Sequence, residues 1–230
     1  MVVEVKGNSA NELFVNVANE MLTSGHYNNP RGLKTLELSD AWLTLYNPKD
    51  NIVSLTSRSM SMDYLLGEQE WYNSGSLSAK DIGKHSKFWL KLADKDGNVC
   101  SNYGLLTKID KYNGKSQLDW CIESLLKDSN SRQAVMNYNQ PRHKFDGNKD
   151  FVCTLSQQFV KRDGCLDSIV MMRSNDLVYG LTYDLPWFCN LQVEVSEKTG
   201  IPLGNYHHYA TSLHVYEGHF GMLESISKDK

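Results

Sequence analysis

The sequence predicts a mixed α+β fold, and three observations carry that prediction. Segments with apolar residues every three or four positions interleave with segments of strand composition, without the regular alternation of a doubly wound sheet. At 230 residues, with 40% hydrophobic and 22% charged residues, the chain can bury a substantial core. No repeat, low-complexity tract or long linker divides it, so residues 1–230 are read as one domain.

Taken in order, residues 10–24 place Leu13, Phe14, Val17, Met21 and Leu22 at helical spacing, with Gly25 as a stop. The turn Asn28-Asn29-Pro30-Arg31-Gly32 leads into Thr35 to Tyr46, a strand with a turn or bulge at Ser39-Asp40. Residues 60–73 fit a helix through Met60, Tyr64, Leu65, Trp71 and Tyr72, although Gly67 weakens it. Leu118, Cys121, Ile122 and Leu125 predict a helix over 116–127, and Gln133 to Asn139 a strand. Cys153 to Lys161 and Leu166 to Arg173 read as paired strands about Arg162-Asp163-Gly164. Residues 184–198 suit a helix that tolerates Pro186 only in its first turn. Tyr206 to Tyr216 has strand composition.

Composition excludes several classes of function. A formal net charge of -3 gives no polybasic surface for nucleic acid or membrane, although a few converging arginines still suffice for a phosphate. No apolar run reaches the roughly 18–20 residues that span a bilayer. The opening MVVEVKGNSANELF lacks the basic-then-apolar order of a secretory signal. Five cysteines, Cys100, Cys121, Cys153, Cys165 and Cys189, are scattered and free of CxxC spacing, so reduced thiols and a cytoplasmic setting are expected. There is no glycine-rich phosphate loop, GxSxG elbow or HExxH. His207 and His208 are adjacent on a strand and point to opposite faces, so no metal site is expected from them.

Single residues decide little. Cys153 among apolar neighbours is by itself an inert core residue, and Asp184 by itself a helix cap. Arg173-Ser174-Asn175-Asp176 is a strand end, or a phosphate site with an arginine and adjacent hydroxyl. Tyr103 and Trp71 would ordinarily be core aromatics.

Their order is more informative, because it resembles the thymidylate synthase family over roughly residues 30–220. Glu68-Gln69-Glu70-Trp71-Tyr72 matches the helix with the catalytic glutamate, and Asn102-Tyr103-Gly104 the tyrosine-glycine element. Asp128-Ser129-Asn130-Ser131-Arg132 resembles the arginine-bearing loop, and Cys153 stands where the catalytic cysteine is expected. Arg173-Ser174-Asn175-Asp176, Gly180-Leu181-Thr182-Tyr183-Asp184 and Leu213-His214-Val215-Tyr216 with His219 follow in register. Met172 to Asp176, Asp184, and Ser212 to Tyr216 are more similar to the phage deoxycytidylate hydroxymethylase branch. Thymidylate synthase has asparagine where Asp184 stands.

The resemblance implies a mixed sheet flanked by helices and a homodimer packed through the sheet. It implies that the Cys153 thiolate, its pKa lowered by nearby arginines, adds to C6 of dCMP. C5 then takes a one-carbon unit from 5,10-methylenetetrahydrofolate, and water captures it as a hydroxymethyl group. Glu68 would relay protons with Tyr103 assisting, and Asp184 would read the cytosine edge. Arg31, Arg173 and Ser174 would hold the phosphate, with Arg132 from the second subunit. Asn175, His214 and Tyr216 would also bind the nucleotide, the last two at the sugar hydroxyl, and Asp176 and Gly180 the folate. Gln133 replaces a second family arginine, and Met172 a glutamine. The ending Ser227-Lys228-Asp229-Lys230 lacks an apolar tail, which is expected to open the site to water. Alternatives are hydroxymethylation of dUMP, methylation of a pyrimidine nucleotide, or a binding protein that lost turnover.

Overall fold

Two strand-rich regions, one near the start of the chain and one spanning its last third, pair into one sheet. The computed structural model describes residues 2–229; Met1 and Lys230, the outermost residues of the two termini considered above, lie outside the described residues. The strands are β1 (Val3–Gly7), β2 (His26–Asn28), β3 (Thr35–Leu45), β4 (Val135–Asn137), β5 (Thr154–Arg162), β6 (Cys165–Met172), β7 (Asn175–Asp176) and β8 (Leu203–Tyr216). They form an eight-stranded sheet in the order β1-β3-β8-β6-β5-β4, with β2 paired to β3 and β7 to β8. β1–β3, β6–β8 and β7–β8 are parallel and the other pairings antiparallel, so the sheet is mixed, as expected.

Strand alternation gives this sheet two unlike faces. Leu43, His208, Val170 and Gln157 lie side by side in register and are all fully buried. That face is covered by α1 (Ala10–Ser24) over β1 and β3, and by α6 (Thr182–Thr199) over β6 and β8. One residue along, Trp42, Tyr209 and Met171 share a row on the opposite face and are less buried. His207 lies on that second face beside Thr44 and Asp167, while His208 bonds through Nδ1 to the Tyr206 hydroxyl. The two histidines therefore diverge, as the strand period requires.

The remaining helices are α2 (Met62–Ser74), α3 (Ala79–Gly83), α4 (Phe88–Leu92), α5 (Gln117–Lys127) and α7 (Phe220–Ile226). Ser61 caps α2, and Ser116 with Asp119 makes a capping box on α5. Several boundaries differ from expectation. β4 is shorter than predicted, and Cys153 precedes β5 instead of lying in it. Asp40 adopts φ 54 without shifting the β3–β8 register. The largest difference is at α6, which starts two residues early and continues a π-helical turn, Leu177–Leu181. Asp176 capping the Val178 and Tyr179 amides moves the start upstream, leaving Pro186 as the fifth residue of α6 and outside its first turn. Among the described residues no helix is long and apolar enough to cross a membrane.

Candidate active site

The β5–β6 hairpin turns at Asp163-Gly164, so its open end brings Arg173, just after β6, against the segment that carries Cys153, just before β5. The Arg173 amide donates to the Cys153 carbonyl at 3.0 Å. Its Nε donates to the Val152 carbonyl at 3.2 Å, and Nη2 reaches both the Phe151 carbonyl and, at 3.3 Å, the Cys153 sulfur. The guanidinium also lies over the Phe151 ring, 4.9 Å from its centre. A single arginine thus fixes the backbone of the cysteine and puts positive charge beside its sulfur.

That charge does not lower the Cys153 pKa below its ordinary value. Burial raises it and is the largest influence; Arg173 and Arg31 pull it down, while Asp184 and Asp150 add to the rise. The expectation of a depressed pKa is therefore corrected: in the free chain desolvation outweighs the arginines, and Cys153 is held as a thiol. Asp150 also anchors the loop, accepting from the Cys100 and Ser101 amides at 2.7 and 2.8 Å and from the Ser101 hydroxyl at 2.7 Å. Those bonds tie the Asn102-Tyr103 segment to the cysteine loop. Tyr103 is buried, stacks on Tyr72 at 5.3 Å and accepts from the Thr154 hydroxyl at 2.9 Å.

Two carboxylates complete the cluster, Glu68 buried and Asp184 half-buried. Glu68, on α2 and 6% exposed, accepts from the Tyr64 hydroxyl one turn earlier at 2.7 Å. Tyr64 in turn accepts from Trp89 Nε1 at 2.9 Å. Burial pushes Glu68 up to about 8, with the Tyr64 bond opposing and Asp184 reinforcing. Asp184, the third residue of α6, accepts at Oδ2 from Asn175 Nδ2 at 2.7 Å. Burial pushes it up to about 7; the Asn175 bond opposes and the charge of Asp176 adds to the rise. Gly180 makes room for this pair, since a Cβ there would stand 2.7 Å from Asn175 Nδ2.

The other expected site residues fall around this cluster with one exception. Asp176 uses Oδ1 to cap the Val178 and Tyr179 amides at 2.6 and 2.9 Å. His214 pairs in register with Asp176 and packs edge-on to Tyr216 at 5.1 Å. Ser174 lies half-buried between Arg173 and Asn175, and Arg31 occupies an exposed turn with φ 54 whose charge is felt at Cys153. Arg132 is the exception: it is exposed ahead of β4, where its carbonyl accepts from Gln158, and no bond joins its side chain to the cluster. Sequence reasoning missed Tyr64, Trp89 and Asp150. Only Tyr64 had a usable signal, its place four residues before Glu68 on a helix. Among the described residues no group of three or more His, Cys, Asp or Glu side chains could hold a metal ion.

This arrangement offers a thiol with an adjacent cation and two acids, one buried and one half-buried, that titrate near neutrality. A family model described as Thymidylate synthase matches residues 12–229. The chain is similar to a deoxycytidylate 5-hydroxymethyltransferase of Enterobacteria phage T6, 34% identical over 210 residues that cover 84% of this chain and 80% of that protein. A deoxyuridylate hydroxymethyltransferase of Bacillus phage SP01 is 26% identical, over 96% of this chain and 61% of that protein. The solved structure of thermostable thymidylate synthase A from Bacillus subtilis superposes with a TM-score of 0.75 at 21% identity, covering 96% of this chain and 84% of that one. That last likeness establishes the fold.

Proposed function

This chain belongs to the thymidylate synthase family, and from that premise we propose that it hydroxymethylates dCMP at C5. The family acts on nucleotide monophosphates with methylenetetrahydrofolate as co-substrate. The proposed reaction converts dCMP, methylenetetrahydrofolate and water to 5-hydroxymethyl-dCMP and tetrahydrofolate. The observation that carries the reading is the half-buried Asp184 carboxyl group, gripped by Asn175 and electrostatically coupled to both Glu68 and Cys153.

Cys153 adds through sulfur to C6, and the electron pair displaced from the C5–C6 bond makes C5 nucleophilic. Arg173, 3.3 Å from that sulfur, stabilises the thiolate as its proton leaves. Asp184 accepts from the N4 amino group, and its charge stabilises the proton that N3 acquires as the adduct forms. Asp184 thus binds the transition state more strongly than the ground state. Bound methylenetetrahydrofolate supplies the one-carbon unit. Asp176 fits the pterin, because its cap uses Oδ1 and leaves Oδ2 to accept from ring nitrogens. Glu68, titrating at about 8, carries a proton at neutral pH and can pass it through water to the reacting centre. Once C5 has lost its proton and tetrahydrofolate has left, water adds its hydroxyl to the resulting exocyclic methylene. The electron pair returned to C5 re-forms the C5–C6 double bond, and the sulfur–C6 bond breaks to regenerate Cys153.

Arg173 would meet the phosphate through Nη1, which lies outside its bonds to the cysteine loop, together with Ser174 and Arg31. His214 and Tyr216 would take the sugar. Arg132 fits the role of a residue supplied by a second copy, since its side chain is exposed and joins nothing in its own site. The sheet face bearing Trp42, Tyr209 and Met171, opposite the face beneath α1 and α6, supports a homodimer packed there.

A second reading, turnover of dUMP, is favoured by the titration of Asp184 near neutrality, because a neutral carboxyl can donate to O4. Incubation with methylenetetrahydrofolate and either dCMP or dUMP, followed by mass spectrometry of the nucleotide, separates the readings. A hydroxymethyl group on dCMP with release of tetrahydrofolate is expected. A methyl product with dihydrofolate, or preferential use of dUMP, would overturn the proposal.

A further inference from the structure

We propose that Asn175 determines which base Asp184 reads, by clamping Oδ2 so that an ionised carboxylate presents Oδ1 as a lone acceptor to the pyrimidine edge. This rests on the reading that Asp184 faces the base. Asn175, expected from the sequence to bind the nucleotide directly, is on this proposal a positioning residue, acting through Asp184 and not by contact with substrate.

Three observations carry it. Asn175 is 3% exposed on β7, and its Nδ2 donates to Asp184 Oδ2 at 2.7 Å. The other end of the same amide, Oδ1, is buried without a hydrogen-bond partner. An orphaned buried acceptor destabilises a fold, and an apolar side chain of similar volume would avoid it. The amide is therefore explained by what it does to Asp184. Third, Gly180 keeps the space open, since a Cβ there would stand 2.7 Å from Nδ2 and 3.5 Å from Asp184 Oδ2.

The chemistry follows from donor and acceptor counts. With Oδ2 occupied, ionised Asp184 can only accept at the base. It attracts an amino group at position 4 of cytosine and repels the carbonyl oxygen at position 4 of uracil. A neutral carboxyl accommodates both bases, because its O–H can serve N3 of one or O4 of the other. Discrimination therefore belongs to the ionised, clamped state.

Burial favours the neutral carboxyl, as does Asp176, while the Asn175 amide favours the ionised one. The ionisable groups coupled to Asp184 from surrounding elements are Glu68, Tyr72, Tyr103, Tyr138, Cys153 and Tyr206. None of these is a cation. Asn175 is thus the group that holds the carboxylate charged, and with Asp184 pushed up to about 7 the balance is struck near neutral pH.

The test measures dissociation constants for dCMP and dUMP without folate, between about pH 6 and 9, in the wild type, Asn175→Leu, Asn175→Ala and Asp184→Asn. Circular dichroism confirms that each variant is folded. In the wild type the preference for dCMP is expected to grow with pH as Asp184 ionises. In Asn175→Leu and Asn175→Ala the growth moves to higher pH, and the preference at pH 7 falls about tenfold. Unchanged preference at every pH in both Asn175 variants, alongside loss of preference in Asp184→Asn, overturns the role of Asn175 and leaves that of Asp184 standing. Preference retained in Asp184→Asn overturns both.

Discussion

Glu68→Gln is expected to stabilise the protein while disabling it, with a pH dependence that identifies the cause. A glutamate in the unfolded chain ionises near 4.5, whereas buried Glu68 keeps its proton up to about 8. Between those values the folded state binds the extra proton, so stability falls as pH rises through that window and is level outside it. The rise from 4.5 to about 8, at about 1.4 kcal/mol for each tenfold in proton affinity, amounts to about 5 kcal/mol lost above pH 8. At pH 5 the loss is under about 1 kcal/mol. Glutamine cannot ionise, and its amide oxygen can still accept from the Tyr64 hydroxyl, so the variant escapes the loss. In a chain of 230 residues, where 1 kcal/mol moves Tm by about 2–4 °C, the variant should melt roughly 10 °C higher near pH 8.5. Near pH 5 the two proteins should melt within about 3 °C of one another. Thermal melts of the nucleotide-free proteins at both values decide it. A difference that is the same at both pH values, or a variant less stable near pH 8.5, would refute the view that Glu68 is a buried acid ionised at a cost.

Replacing Cys153 by alanine should lower kcat by at least about a thousandfold while dCMP affinity changes less than about threefold; isothermal titration with and without turnover measures both, and loss of binding would favour a non-catalytic nucleotide site. Tyr64→Phe removes the donor to Glu68 and orphans Trp89 Nε1, costing about 1–3 kcal/mol in chemical denaturation. Because the lost bond was lowering the Glu68 pKa, the alkaline limb of the pH–rate profile should move to higher pH. Arg132→Ala and Cys153→Ala homodimers should each be inactive. Exchange of their subunits should restore about a quarter of the sites, since each hybrid dimer holds one complete site; no recovery after exchange would place Arg132 in its own subunit's site, and an active Arg132→Ala homodimer would place it outside catalysis.

Much of the fold was legible because periodicity is local. Leu13, Phe14, Val17 and Met21 share one buried stripe of α1, and Leu118, Cys121, Ile122 and Leu125 one of α5, at the spacings that announced them. Arg162-Asp163-Gly164 closes the β5–β6 hairpin, with Asp163 and Gly164 both at positive φ, as that turn chemistry requires. The short elements β2, β7, α3, α4 and α7 gave no signal, since a few residues do not establish a period. α6 was misplaced at its start because the capping carboxylate of Asp176 lies before a π-helical turn, which no 3.6-residue pattern anticipates.

Which side chains of the candidate site lie together was legible in the sequence, their electrostatics was not, and Cys153 shows why. From the chain alone, an arginine twenty residues downstream suggested a depressed thiol pKa. The geometry puts Arg173 where it was wanted, at 3.3 Å, yet burial outweighs it, and Asp184 and Asp150, arriving from other parts of the chain, add to the rise. The same burial lifts Glu68 to about 8 and Asp184 to about 7. Motifs specify which groups meet, but the proton affinity of each depends on how much water the whole fold excludes. With Cys153 and Glu68 held protonated and Asp184 poised near neutral pH, each of the three needs a charge-stabilising partner at the point where its proton must leave. Arg173 is that partner for Cys153, the Tyr64 hydroxyl for Glu68, and the Asn175 amide for Asp184. Each acts by favouring the ionised form against burial, so removing any one should raise the pKa of its own acid first and disturb the other two only through their weaker coupling.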